Sequence, residues 1–252
     1  MSFDWIVLWL MTGLRATGIV MLLPAPGGRS LPPTLRVACS MMIATLVAGP
    51  LAGTATPRLE SWGQLVTAVV AELLLGFALG FVGRTIITGA EVGGRMMANE
   101  LGLMAAPGFD VPTPSQEPLP SFIGNFACLM FFVMGGHYGA LAAFARSFDL
   151  APAGAARFSL IAGDTLVTAS AFVIELGLRL AAPFIALNFV ITMGFSILGR
   201  AVPRMNVFII SYPVRTIMGF SMLAGAGALF ARYLWNANDN LPWWMLELVG
   251  RQ

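Results

Sequence analysis

The stretch from Trp62 to Thr88, WGQLVTAVVAELLLGFALGFVGRTIIT, decides the class of this chain. About twenty apolar residues cross a bilayer as a helix, and this run exceeds that with only two charges inside it, Glu72 and Arg84. Glu72, Gly76, Gly80 and Arg84 recur at four-residue spacing, which puts them on one helix face. Small residues at that spacing let helix backbones approach closely, and Gly89 and Gly93 continue the theme. Ordinary helix packing accounts for the stripe, and the partner helix could belong to this chain or to another. The helix is expected to continue past its apolar part as GAEVGGRMMANELGL until Pro107 stops it.

Outward from this run, spans of similar character recur. They cover Trp5–Leu23, interrupted by Arg15, then Leu35–Ala52, Ser121–Ala145, Thr165–Leu198, and Met205 to about Trp235. A Pro/Gly-rich turn lies at Pro24–Pro33, a linker at Gly53–Ser61, and a loop at Arg146–Asp164. A polar break at Asn236–Asn240 is expected to precede the tail PWWMLELVGRQ. The expectation is an all-α polytopic membrane protein of long, partly kinked helical hairpins, a single domain over residues 1–252. The first run is longer than a signal-peptide core and follows no basic region, so it should stay as a membrane segment.

Composition supports this reading. Of 252 residues 58% are hydrophobic and 10% charged, against about 25% charged in a soluble domain. Mean hydropathy is +0.82. A net charge of +2 is too small to imply nucleic acid. All fourteen basic residues are arginine, which removes lysine-dependent phosphate loops and Schiff-base chemistry. Arginine stays charged in almost any surroundings, so an arginine inside an apolar segment, as Arg15 is, must find a partner or reach the headgroups. Cys39 and Cys128 stand alone in apolar segments and read as structural thiols.

Two pairs, Glu91 with Arg95 and Glu175 with Arg179, place an acid four residues before a base, the favourable order for a helical ion pair. An unpaired arginine near the membrane centre costs about 2.5–3.5 kcal/mol on the insertion scale, so both are expected as ion pairs buried within a helical assembly. With six crossings, one side holds Arg29, Arg36, Arg84, Arg95, Arg200 and Arg204. The other holds Arg58, Arg146, Arg157, Arg232 and Arg251. That is no positive-inside bias, unlike a conventional permease.

At the centre, PGFDVPTPSQEPLP (Pro107–Pro120) holds five prolines, through which no helix is expected to run. The plain reading is an exposed connector. Catalytic constellations are missing from the sequence. His137 is the only histidine and reads as packed rather than metal-bound, no GxSxG elbow occurs, and Gly225-Ala-Gly-Ala lacks the context of a dinucleotide fingerprint. The expectation is a protein that is not an enzyme and has no cofactor.

The run Leu180-Ala-Ala-Pro-Phe-Ile-Ala-Leu-Asn-Phe, followed by Gly199-Arg-Ala-Val-Pro-Arg-Met-Asn-Val-Phe-Ile-Ile-Ser-Tyr-Pro213 and Gly219, resembles the FliR/SctT family of type III protein export subunits. Arg15, the Pro24–Pro33 turn, Arg36, Glu72, Gly76, Gly80, Gly102-Leu103, Ser147-Phe148, Pro152 and Gly154 agree in order. The resemblance spans nearly the whole chain, and the NVF…YP wording is closer to the flagellar branch. Where the family has Asn-Gly-His this chain reads Gly135-Gly136-His137, and an Asp-Pro pair appears as Asp110-Val-Pro112.

The resemblance implies a pore-forming subunit of a flagellar export gate in the bacterial inner membrane, at the basal body. It implies FliP-like and FliQ-like partners, an FlhB-like neighbour, and unfolded proteins in transit. It also places a pore-closing plug at residues 104–120, with Met104, Pro107, Phe109, Asp110, Pro112, Pro114 and Glu117. Phe109 would supply apolar bulk, and Asp110 and Glu117 would face water. Two other functions compete: a proton-coupled secondary transporter using Glu72 or Glu175, and a membrane scaffold without a conduit. Internal repeats, which a transporter should show, are not found in the sequence.

Overall fold

In a computed structural model, residues 3–24, 32–51, 61–103, 118–156, 160–202 and 206–250 are described, and among them the secondary structure is entirely helical. The helices are α1 (Phe3–Leu22), α2 (Pro33–Ala48), α3 (Trp62–Glu100), α4 (Pro118–Val133), α5 (Gly136–Leu150), α6 (Leu160–Ala201), α7 (Val207–Gly225) and α8 (Gly227–Gly250).

The apolar run that starts at Trp62 becomes α3, the hub. Ser61 caps it, accepting a hydrogen bond from the Gln64 amide at 3.2 Å. It packs against α1, α4, α6 and α8. Its end comes earlier than expected, at Gly102 rather than Pro107. Gly102 has φ +70°, Leu103 N–H bonds Ala98 O at 2.9 Å and Gly102 N–H bonds Asn99 O at 3.1 Å. These are the two bonds of a Schellman motif, which a glycine can close without strain. The stretch 107–120 also ends differently, because Pro118, Leu119 and Pro120 form the first turn of α4. Proline is tolerated there, since first-turn amides have no partner within the helix.

Against the six expected crossings, among the described residues three helices are long and apolar enough to span (Trp5–Leu22, Trp62–Glu100, Gly163–Ala201), or up to five if each bent pair counts once. The second segment is the difference: α2 has 16 residues, about 24 Å at 1.5 Å per residue, against a hydrocarbon core of about 30 Å. The fourth segment divides into α4 and α5, bent by 65° at Gly135, whose φ is +76°. Flanking loops are shorter than expected, since α5 runs on to Leu150 and α6 begins at Leu160.

The last segment bends by 57° between α7 and α8, close to Ala226, and α7 runs on through Pro213. Nor is Asn236–Asn240 a break. The helix α8 continues through it and past Pro242. Asn240 Nδ2 donates to Asn236 O at 2.7 Å, and Leu241, Met245, Leu248 and Val249 bury on the far side, where α8 packs on α5. Burial of that stripe outweighs the hydrogen bond Pro242 cannot make.

Helix α6 has 42 residues, about 63 Å, twice the bilayer core. Only 22% of its spanning window is buried, against 44% for α1 and α3, and Phe189, Val190 and Ile197 stand more than 60% exposed. An apolar helix this bare needs lipid or other chains around it.

Candidate functional site: two polar clusters on α3

The first cluster lies three turns into α3, at Glu72, and is sealed. Arg15 on α1 and Glu72 on α3 both have 0% exposure. Arg15 Nε donates to Glu72 Oε2 at 2.6 Å and Nη2 to Oε1 at 2.9 Å, a two-pronged guanidinium–carboxylate pair. Nη1 donates to Ser147 Oγ at 2.9 Å and Nη2 also to Ala151 O at 3.0 Å, and the Phe148 ring lies 4.0 Å from the guanidinium carbon. Gly154, at φ +83°, turns its N–H onto Glu72 Oε1 at 2.8 Å. One pair thus ties α1, α3, α5 and the turn before α6. Each residue stood out in the sequence as a charge inside an apolar run, but nothing local pairs positions 57 residues apart.

The glycine stripe makes this cluster possible. A Cβ on Gly76 would collide with the backbone carbonyl of Arg15, and one on Gly80 would lie 3.0 Å from Gly18 O. Gly89 and Gly93 face α6, where a Cβ would lie 3.0 Å from Leu176 Cδ2 and from Gly177 O respectively. The partner helices of the stripe thus lie within this chain.

The second cluster grips the end of α3. Tyr212 Oη donates to Gly102 O, Thr216 Oγ1 to Leu101 O at 3.2 Å, and Asn188 Nδ2 to Glu100 Oε2 at 2.5 Å. Arg215 Nη2 reaches Thr192 Oγ1 at 3.2 Å. Asn188 Oδ1 and Arg215 Nε are buried without a partner and line, with Glu100, a cavity of about 10 Å³. That suffices for one water, which would satisfy both. Helices α6 and α7 thus fix the residue after which the 104–117 segment leaves.

Removing both hydroxyl bonds, with Tyr212→Phe and Thr216→Val, should weaken this grip by about 1–2 kcal/mol. Amide exchange at Gly102 and Leu103 is expected to quicken about tenfold. Unchanged exchange would show that the Schellman motif holds the terminus alone.

Of the residues singled out in the sequence, Met104, Pro107, Phe109, Asp110, Pro112, Pro114 and Glu117 lie outside the described residues. Glu175 and Arg179 do pair, at 2.5 Å, but their side chains are 53% and 56% exposed, so within this chain the pair is not buried. Consecutive turns of one helix suffice to form it, and α6 turns that face outward. Glu91 packs against Gly124 of α4, while Arg95 is exposed. His137 packs at the bend against Tyr138 and Phe132, with ring centroids 4.0 and 5.3 Å away. Among the described residues no cluster of His, Cys, Asp and Glu could hold a metal ion, and Cys39 and Cys128 are free thiols.

A helical hub able to cross a bilayer, with a sealed arginine–glutamate pair in its N-terminal third, defines a polytopic membrane protein. The chain belongs to the bacterial export proteins, family 1, whose family model matches residues 6–241. It is similar to the flagellar biosynthetic protein FliR of Escherichia coli K12, with 25% identity over 91% of this chain and 88% of the relative. FliR of Caulobacter vibrioides is 27% identical over 83% and 84%, and FliR of Bacillus subtilis 23% over 85% and 84%.

Proposed function

We propose that this chain is a pore-forming subunit of the flagellar protein export gate in the bacterial inner membrane, at the basal body. It would pass unfolded export substrates and close its channel with the central proline-rich segment. The observation that carries this reading is the family match along residues 6–241, with relatives named as flagellar biosynthetic proteins. The bare apolar length of α6 offers a surface for FliP-like and FliQ-like subunits and an FlhB-like neighbour. Irregular backbone at membrane depth is tolerated only in protein or against a water-filled cavity, which suits a plug at residues 104–117. Prolines hold such a segment in shape with little entropy left to lose. The clamp on Glu100–Gly102 gives it a fixed root.

The competing transporter reading finds less support. Glu72 has both oxygens engaged and no exposure, so as a proton-coupling carboxylate it would first have to break the Arg15 pair. Co-purification in mild detergent with sister membrane subunits is expected of a gate component, and a lone solute-binding monomer of a permease. Deleting Pro107–Glu117, which spares the first turn of α4, should leave that complex assembled but leaky to ions and small solutes. Phe109→Ala should leak more weakly. An assembled deletion complex that stays tight to ions reduces the segment to a connector.

A further inference from the structure

Between the N-terminal turns of α6 and the C-terminal turns of α8 lies a cavity of about 190 Å³. Asp164, Thr165 and Glu175 of α6 line it together with Glu247 of α8, and Phe172 and Trp244 form an aromatic wall, edge to face with centroids 4.5 Å apart. Thr165 is only 8% exposed, and its Oγ1 has no hydrogen-bond partner. A buried hydroxyl left unsatisfied is costly and calls for a missing partner. Three of these lining residues are carboxylates, and Glu247 has an interaction of its own. Arg179 answers Glu175, while Asp164 has no ion-pair partner among the described residues. Among the described residues no group of three or more His, Cys, Asp and Glu could hold a metal ion. An aromatic wall beside carboxylates suits a guanidinium or ammonium group.

The source of that cation follows from the surrounding surface. The exposed Glu175–Arg179 pair sits beside Ile174 and Leu178, which are 62% and 50% exposed, on a helix apolar enough to span a membrane. Lipid penalises the charges and water the apolar side chains, so another protein is the cover that suits both. We propose that the cavity receives an arginine or lysine side chain of a partner chain packed on the α6–α8 face. Its cationic head donates to the Asp164 carboxylate and to Thr165 Oγ1. The proposal rests on the assembly reading above in requiring a second chain.

The test has two arms. The detergent-purified full chain is titrated with N-acetyl-arginine amide and, as an uncharged isostere, N-acetyl-citrulline amide, followed by tryptophan fluorescence. Saturable binding of the arginine compound, at least tenfold tighter than citrulline, is expected. Asp164→Asn and Thr165→Val should each weaken it several-fold, and the second should leave the melting temperature unchanged or higher. Equal or absent binding by a folded chain overturns the proposal. In the second arm benzoylphenylalanine replaces Thr168, which also lines the cavity, within the co-expressed complex. The cross-linked peptide of the partner should contain an arginine or lysine, and the yield should fall about tenfold with Asp164→Asn. If the isolated chain does not fold, this arm decides. A cross-link to lipid alone, to a segment without a basic residue, or with unchanged yield overturns the proposal even if the solute binds. Such a failure with the complex intact leaves the assembly reading standing, whereas failure to co-purify any sister subunit counts against both.

Discussion

Glu72→Ala is expected to abolish accumulation of the folded chain, or nearly so. Arg15 would keep its charge at 0% exposure with its main partner gone, and breaking a buried pair this way costs about 3–5 kcal/mol. That is a large share of the 5–15 kcal/mol that stabilises a typical domain. Ser147 Oγ, Ala151 O and the Phe148 ring would remain, but none carries a compensating charge. The double change Arg15→Met with Glu72→Leu should recover much of the loss, because apolar replacement of both partners removes the stranded charge. Membrane-fraction abundance and detergent melting temperature measure both variants. A single variant that accumulates like the parent would mean that water reaches Arg15, contrary to the sealed geometry.

The second large effect is expected at Gly76. Leucine there should prevent α1 from docking on α3, and even alanine should be severe, because the added Cβ meets the Arg15 backbone carbonyl rather than a movable side chain. Overpacking costs about 1–3 kcal/mol, occasionally more, and shifting α1 would also pull Arg15 away from Glu72. At Gly80 the closest approach is 3.0 Å and includes the Leu22 side chain, so alanine should be tolerated better. Comparing Gly76→Ala with Gly80→Ala by the same two measurements checks the ordering. Equal tolerance would place close helix contact elsewhere. By contrast, an ion pair as exposed as Glu175–Arg179 contributes about 0–1 kcal/mol within this chain. Any larger effect of Glu175→Ala would come from a partner covering that face.

Much of the architecture was legible because a bilayer imposes a one-dimensional rule. Apolar runs long enough to span must be helices, since lipid offers the backbone no hydrogen bonds. Hence α1, α3 and α6 could be located from hydropathy, and Arg15 and Glu72 stood out as charges where none should be free. The ordered motifs also pointed to the family that the chain matches from residue 6 to 241.

Sequence by itself determined the membrane class, the main helices, the close-packing stripe on α3 and that Arg15 had to be partnered or reach the headgroups. Tertiary structure decided which charge answers it, that the stripe packs within this chain, and where helices stop or bend. It also let α8 run through Asn236–Asn240 and Pro242. The physical reason is range. Helix formation and hydropathy depend on residues within a few turns, whereas the Arg15–Glu72 pair closes over 57 positions and the Tyr212–Gly102 bond over 110. Breaks and bends depend on whether a neighbouring helix buries the stripe beyond a proline or a polar run, and no local pattern records that burial.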